Sequence, residues 1–447
     1  MGSLQFLHHF QADSRNSRGG EPQSEPGLPG PIKAMGVRFI FRALGSRNYR
    51  FFFMGQGVSL IGTWTQQTAM SWLVYRITGS TLLLGVVAFS NQIPTLFLGP
   101  FAGVAADRWD RKRLLIWTQS LSMLQALILA ALVLTGALQT WHIIGLSLLT
   151  GIINAFDIPL RQSFVVQMVE KKEDLGNAIA LNSAMFNSAR FIGPSVAGII
   201  ISIVGEGVCF LLNGISYIAV LAGLAAIRVA PRHNRTEKAP VLREFYEGVR
   251  YAFDFKPIIA ILALLSVFGI AGAPYLVLMP AFARDVLHGG AQTFGFLMSA
   301  AGIGALLATM YLASRKNARG LIKIIPVAAA ACGLGIAAFA LSRNFTFSII
   351  CLFLAGFAMM TQIASSNTII QTIVDEDKRG RVMSLYAMSF MGVMPFGSIL
   401  AGSVADRIGV QFTLLLGAAF CIIGASIFAT KLPMLCRLLR PILAVRE

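Results

Sequence analysis

Arg190 is the most conspicuous chemical group in this chain, because nothing near it in sequence explains a charge. It stands midway along an apolar run over about 176–204 that holds no acid. A guanidinium offers five donors and no acceptor, so it needs an anion, water or free carbonyls. One reading is an anionic-substrate or coupling contact; the plainer one is an Arg bonded to helix carbonyls or to Asn182 and Asn187. Asp157 is the one carboxylate inside any apolar run, four residues before Arg161. It is either a proton carrier or half of a structural ion pair. Amides recur at mid-run positions: Gln66 and Gln67, Asn91 and Gln92, Asn187, Gln362 and Asn367. An amide turned toward lipid is unfavourable, so these form a candidate polar lining, or bridges between helices. Trp64, Trp72 and Phe186 could stack on a ring-bearing substrate, although with 32 Phe in the chain packing is the plainer role.

Such groups need elements that hold them in an apolar medium. The 447 residues are 55% hydrophobic and 13% charged, with mean hydropathy +0.69; soluble proteins carry about 25% charged residues. Apolar stretches recur at about 50–76, 81–105, 114–136, 141–168, 176–204, 207–229, 257–283, 291–313, 321–341, 346–373, 382–405 and 410–431. Each suits a membrane helix of about 20 residues. Between the second and third lies Gly103–Arg113, GVAADRWDRKR, in which Asp107 and Arg111 would share a face of a continuing helix.

The net charge of +17 would suggest nucleic acid in a soluble protein. Here all Lys and Arg but Arg76, Arg190, Arg284, Arg343 and Arg407 fall on one side once the N-terminus is placed in the cytoplasm. That asymmetry predicts both termini inside and removes the nucleic-acid reading. The expected organisation is a disordered tail over 1–41, a six-helix bundle over 42–230, a cytoplasmic linker over 231–256, a second bundle over 257–431 and a cytoplasmic tail over 432–447. The halves repeat: Gly193, Gly198 and Gly205 recur at constant offset as Gly397, Gly402 and Gly409, and Leu181 and Gln167 as Leu385 and Gln371. Two such bundles are the design of many secondary transporters, with a site at mid-membrane between them. The five cysteines have no metal-site or disulfide spacing and read as packing. The five histidines offer no metal-ligand spacing, and no phosphate-loop motif is present.

GVAADRWDRKR resembles the loop signature of the major facilitator superfamily. NAFDIPLRQSF (Asn154–Phe164), NAIALNSAMFNSARFIGPSVAG (Asn177–Gly198), RGRVMSLYAMSF (Arg379–Phe390) and GSILAGSVADRIG (Gly397–Gly409) resemble its branch of enterobactin exporters and macrolide efflux pumps. The resemblance implies an all-α membrane protein with 12 helices in two pseudo-symmetric bundles, exporting by proton-coupled alternating access. It implies a cytoplasmic latch of Gly103, Asp107, Arg108, Arg111, Asp157 and Arg381, in which Asp107 faces the start of helix 11 near Arg381 and Arg111 pairs with Asp157. Lys112 and Arg113 are read as topology-setting charges only. Gly193, Pro194 and Gly198 partly match the antiporter signature of helix 5, short of its full set of glycines. The superfamily's Arg early in helix 4 is missing here.

The expectation is a non-enzymatic, monomeric inner-membrane exporter of a siderophore-like or drug-like molecule, neutral or anionic. It would need no metal or cofactor beyond the proton gradient, and no partners beyond substrate and bilayer. A pump for cationic or amphipathic antibiotics is the alternative. A non-transporting receptor or a lipid-modifying membrane enzyme would belong to different classes, and neither a folded extramembrane domain nor a catalytic polar cluster supports them.

Overall fold

The computed structural model describes residues 41–169, 171–228, 249–315 and 320–446. The expected N-terminal tail and most of the linker therefore lie outside the described residues. Among those described, the chain is a succession of twelve long helices without a strand. They are α1 (Arg47–Thr78), α2 (Thr81–Arg108), α3 (Arg111–Leu134), α4 (Thr140–Met168), α5 (Leu175–Val204) and α6 (Glu206–Ala226), then α7 (Lys256–Val286), α8 (Ala291–Ala313), α9 (Leu321–Leu341), α10 (Phe345–Ile373), α11 (Lys378–Ile408) and α12 (Val410–Arg446). All but α1 are long and apolar enough to cross a membrane. α1 carries Gln56, Gln66 and Gln67, but its 32 residues reach about 48 Å at ~1.5 Å per residue.

Apolar sequence of this length folds as helix because each backbone group must find its partner within the segment when no water is at hand. Short polar residues mark the starts: the Ser80 hydroxyl accepts from the Leu83 N–H, Asp110 from those of Lys112 and Arg113, and Asn344 from that of Phe347. Asp110 thus caps α3, which gives the charged turn after α2 a structural function. Lys112 has one too, beyond the expected topology-setting charge, because its ammonium donates to the Ile227 carbonyl at 2.6 Å, just past the end of α6. The stretch 432–447, expected as a tail, is helical through Arg446 as the continuation of α12.

α1 packs on α5 and α6, α2 on α4, and α3 on α6; α8 and α9 pack on α10, and α9 on α12. These are two pseudo-symmetric six-helix bundles. They meet chiefly where α5 crosses α8 and α2 crosses α11. The repeated glycines are the reason those crossings exist. A Cβ on Gly198 would lie 2.9 Å from the Ala291 carbonyl and 3.2 Å from the Cα of Gly295; one on its counterpart Gly402 would lie 2.5 Å from the Thr81 carbonyl and 3.1 Å from the Cα of Gly85. Gly193 meets α1 at Trp64 and Gly397 meets α7 at Ile270 in the corresponding way. Gly205 and Gly409 follow the last turns of α5 and α11 with φ of +84° and +86°, a conformation open to glycine at little cost.

α7 and α11 are not regular. α7 widens into a π-turn at Phe268–Gly272 ahead of Pro274, and α11 does so at Met388–Gly392 ahead of Pro395. The two widened turns lie against each other, a Cβ on Gly269 falling 2.7 Å from the Phe390 carbonyl. π-turns of this kind are frequent at functional sites.

Candidate transport site

A cavity of about 250 Å3 lies between the bundles at mid-helix depth, just under the ~300–1,000 Å3 of common small-molecule sites. Its wall is chemically divided. The first bundle supplies the polar part: Trp64, Gln66, Gln67 and Ser71 from α1, Asn91 and Gln92 from α2, Ser122 and Gln125 from α3, Thr150 and Asn154 from α4, Arg190 from α5 and Tyr217 from α6. The second supplies Leu276, Val277, Phe294, Met298, Ala301, Gly302 and Met394, none of them with a polar side chain. Leu276, Val277 and Met394 come just after the breaks in α7 and α11.

The structure therefore gathers Arg190, Gln66, Gln67, Asn91 and Gln92 from among the candidate residues. Their roles differ. The Gln66 amide donates to Gln125 at 3.0 Å and accepts from Asn213 at 2.8 Å, so it ties α1 to α3 and α6. Gln67, Asn91, Gln92 and Asn154 have no side-chain partner among the described residues and are left to face the cavity. The other three candidates are elsewhere. Asn187 donates to the Ser183 carbonyl of its own helix at 2.9 Å. Asn367 accepts from Gln371. Gln362 is wholly buried inside the second bundle, on the face α10 packs against its neighbours, with neither amide atom partnered. A period of 3.6 does not say which face of a helix points at a cavity, so the sequence alone does not separate these three from the amides that line it.

Arg190 is held by the approach of α5 to α1. One turn further on, Gly193 lets α5 come so close that a Cβ there would lie 2.4 Å from the Trp64 Cβ, and the Thr65 hydroxyl donates to the Gly193 carbonyl at 3.2 Å. The Trp64 ring is thereby brought to 5.8 Å from the guanidinium carbon, within cation–π range. Trp64 in turn meets Phe186 edge-on at 5.7 Å.

One turn below Asn154, Asp157 accepts from the Thr118 hydroxyl at 2.8 Å and from Gln119 at 2.6 Å, with Arg161 at 3.7 Å. Arg111, the partner implied by the resemblance, opens α3 and is not among the groups at this carboxylate. Both carboxylate oxygens are already met on α3 and α4, by Thr118 and Gln119 on one and Arg161 on the other. The side chains of Asp107 and Arg108 lie outside the described residues, Arg381 stands near the start of α11, and a Cβ on Gly103 would meet nothing within 4 Å among them.

A second group of contacts, missed in the sequence, shuts the cavity at the end away from the linker. The Tyr75 hydroxyl of α1 donates to the Asp285 carboxylate of α7, and Arg284 donates to the Tyr75 carbonyl at 3.3 Å. The Thr81 hydroxyl of α2 donates to the Gly402 carbonyl at 3.0 Å, with Asp406 3.5 Å from the hydroxyls of Ser80 and Thr81. The Ser195 hydroxyl donates to Ser299 at 2.7 Å, and Ser299 to the Phe191 carbonyl at 2.6 Å. Trp72 stacks at 6.0 Å on Phe294, which lines the cavity. The signal for this seal was the pairing of acids and hydroxyls at helix ends far apart in the chain, which spacing alone does not reveal.

The chain's relatives agree with this architecture. The staphyloferrin A transporter of Staphylococcus aureus is 28% identical over 84% of this chain and 93% of its own length. Macrolide efflux protein A of Streptococcus pyogenes is 22% identical over 82% and 92%. Among solved structures, an inward-facing bacterial homologue of the human lysosomal transporter Spinster superposes with a TM-score of 0.67 at 13% identity, covering 87% of this chain and 98% of that one. Residues 41–437 match the family of transmembrane secretion effectors, and the chain belongs to that family of major facilitator transporters.

Proposed function

We propose that this protein exports a small organic molecule, siderophore-like or antibiotic-like as the names of its relatives suggest, across the cell inner membrane. The first bundle (42–230) and the second (257–431) rock about the cavity in exchange for protons, in a twelve-span monomer with both termini in the cytoplasm. The observation that carries this reading is a cavity at mid-membrane depth between two pseudo-symmetric halves, shut at one end by contacts that all cross from one half to the other. With the charged turns inside, the shut end is the outer one. Asp107, Arg111 and Arg381 would close the opposite, inner end in the outward-open form, with Asp157 and Arg161 stiffening its base.

The test is accumulation of a panel of siderophores and antibiotics in everted membrane vesicles with an acid interior. Uptake that requires the protein and ceases when nigericin collapses the pH gradient is expected. Uptake that survives nigericin would remove the proton coupling, and no protein-dependent uptake of any compound would remove the exporter.

A further inference from the structure

We propose that Arg190 is an anion subsite, and that the exported molecule is a compact amphipathic anion which docks a carboxylate or equivalent charged oxygen there. This deepens the transporter reading and rests on it. The first argument is a contrast between two buried charges and the half-buried Arg190. Asp157, 5% exposed, has Arg161, Thr118 and Gln119; Glu206, also 5% exposed, has Arg76 at 2.7 Å. Arg190 has neither an ion pair nor a hydrogen bond to its side chain among the described residues, and no carboxylate lines its cavity. An unpaired Arg at mid-bilayer depth is strongly disfavoured and calls for a partner. A ligand carboxylate would supply the missing charge, and the planar fork of a guanidinium donates two parallel N–H···O bonds to it.

The second argument is the division of the wall. Arg190, Gln67, Asn91 and Gln92 belong to one bundle, whereas Phe294 and Met298 opposite them belong to the other. A bound molecule would turn its charge and polar groups to the first bundle and an apolar side to the second. As the halves rock, the apolar wall could slide across that side without breaking a hydrogen bond, so the cargo would travel with the first bundle. Trp64 backs the guanidinium and leaves its edge to the ligand.

Purified full-length protein in nanodiscs would be titrated with three probes of one shape: 2-naphthoate, 2-naphthamide and 2-naphthylmethylammonium. A charge-assisted hydrogen bond contributes about 1.5–3 kcal/mol, so 2-naphthoate should bind roughly tenfold to a hundredfold more tightly than the amide, with the ammonium weakest. Arg190→Gln should abolish that difference and leave amide binding nearly unchanged, while Arg190→Lys should keep part of it and thereby separate charge from folding. Failure of 2-naphthoate to bind the unaltered protein, equal affinity for the three probes, or equal weakening of acid and amide by Arg190→Gln would overturn the subsite. Parallel flux assays in proteoliposomes separate the two readings. Anion-selective binding keeps the subsite even if the vesicle panel above shows no protein-dependent uptake, and flux indifferent to charge removes the subsite while keeping the exporter.

Discussion

At the scale of single residues, two carboxylates do opposite work. Asp157 is buried within one bundle and accepts from Thr118 and Gln119 beside Arg161, so removing it strands a cation and two donors together. Breaking a buried pair from one side costs about 3–5 kcal/mol. Asp157→Ala should lower the thermal midpoint markedly and Asp157→Asn less, because the amide oxygen can still accept. Equal, negligible shifts for both in purified protein would show that the cluster does not hold α3 to α4. Asp285 instead spans the two bundles through Tyr75. Tyr75→Phe should leave stability nearly intact and loosen the outer seal by about 1.5–3 kcal/mol, a shift of tenfold or more toward the outward-open form. An impermeant maleimide reacting with Gln67→Cys from outside reads that shift, and unchanged labelling would rule out Tyr75 as a closure contact. The sequence made Asp157, Arg161 and Arg190 legible because a charge in an apolar run is rare. It could not show that Tyr75 meets Asp285, since partners 210 positions apart share no local pattern. Gln362 looked like Gln67 in sequence, yet one is packed within a bundle and the other faces the cavity.

At the scale of helices, the glycine repeat explains why the bundles can close. Gly198 against Gly295 and Gly85 against Gly402 are backbone contacts between bundles, so a side chain at any of them acts on the closed outer state alone. Overpacking costs about 1–3 kcal/mol. Gly198→Val or Gly402→Val should therefore raise outward exposure of Gln67→Cys by about fivefold to a hundredfold and slow transport, with the fold intact. Gly145, where a Cβ meets nothing within 4 Å, is the control, and Gly145→Val should change neither readout. A shift no larger for Gly198→Val than for Gly145→Val would dismiss the crossings as determinants of the state. The twelve helices were readable from apolar length, and the constant offset of the glycines announced two similar halves. The π-turns of α7 and α11 were not readable. Pro274 and Pro395 mark those places, but proline in a membrane helix permits a kink, a π-turn or neither, and the outcome depends on the neighbouring helix.

For the whole molecule, the claim at stake is that the bundles must part at the outer end during each cycle. Ser195 and Ser299 provide the means to prevent it, since their hydroxyl oxygens lie 2.7 Å apart across the α5–α8 crossing. Side chains whose γ atoms already touch are candidates for replacement by a disulfide, whose sulfur atoms are bonded at about 2.05 Å. The double variant Ser195→Cys with Ser299→Cys should transport when reduced, stop when oxidised and recover with dithiothreitol, while each single variant ignores the oxidant. The native cysteines are a minor complication, as four are buried and Cys436 is half-buried. A bond at this position leaves the cavity lining and Arg190 untouched, so binding of 2-naphthoate should persist in the oxidised protein even as transport ends. Loss of both would mean that the cross-link distorts the site. Full transport through a demonstrably closed disulfide would mean that cargo passes without the halves separating there, and the rocking of two rigid bundles would have to be abandoned for motion within one of them.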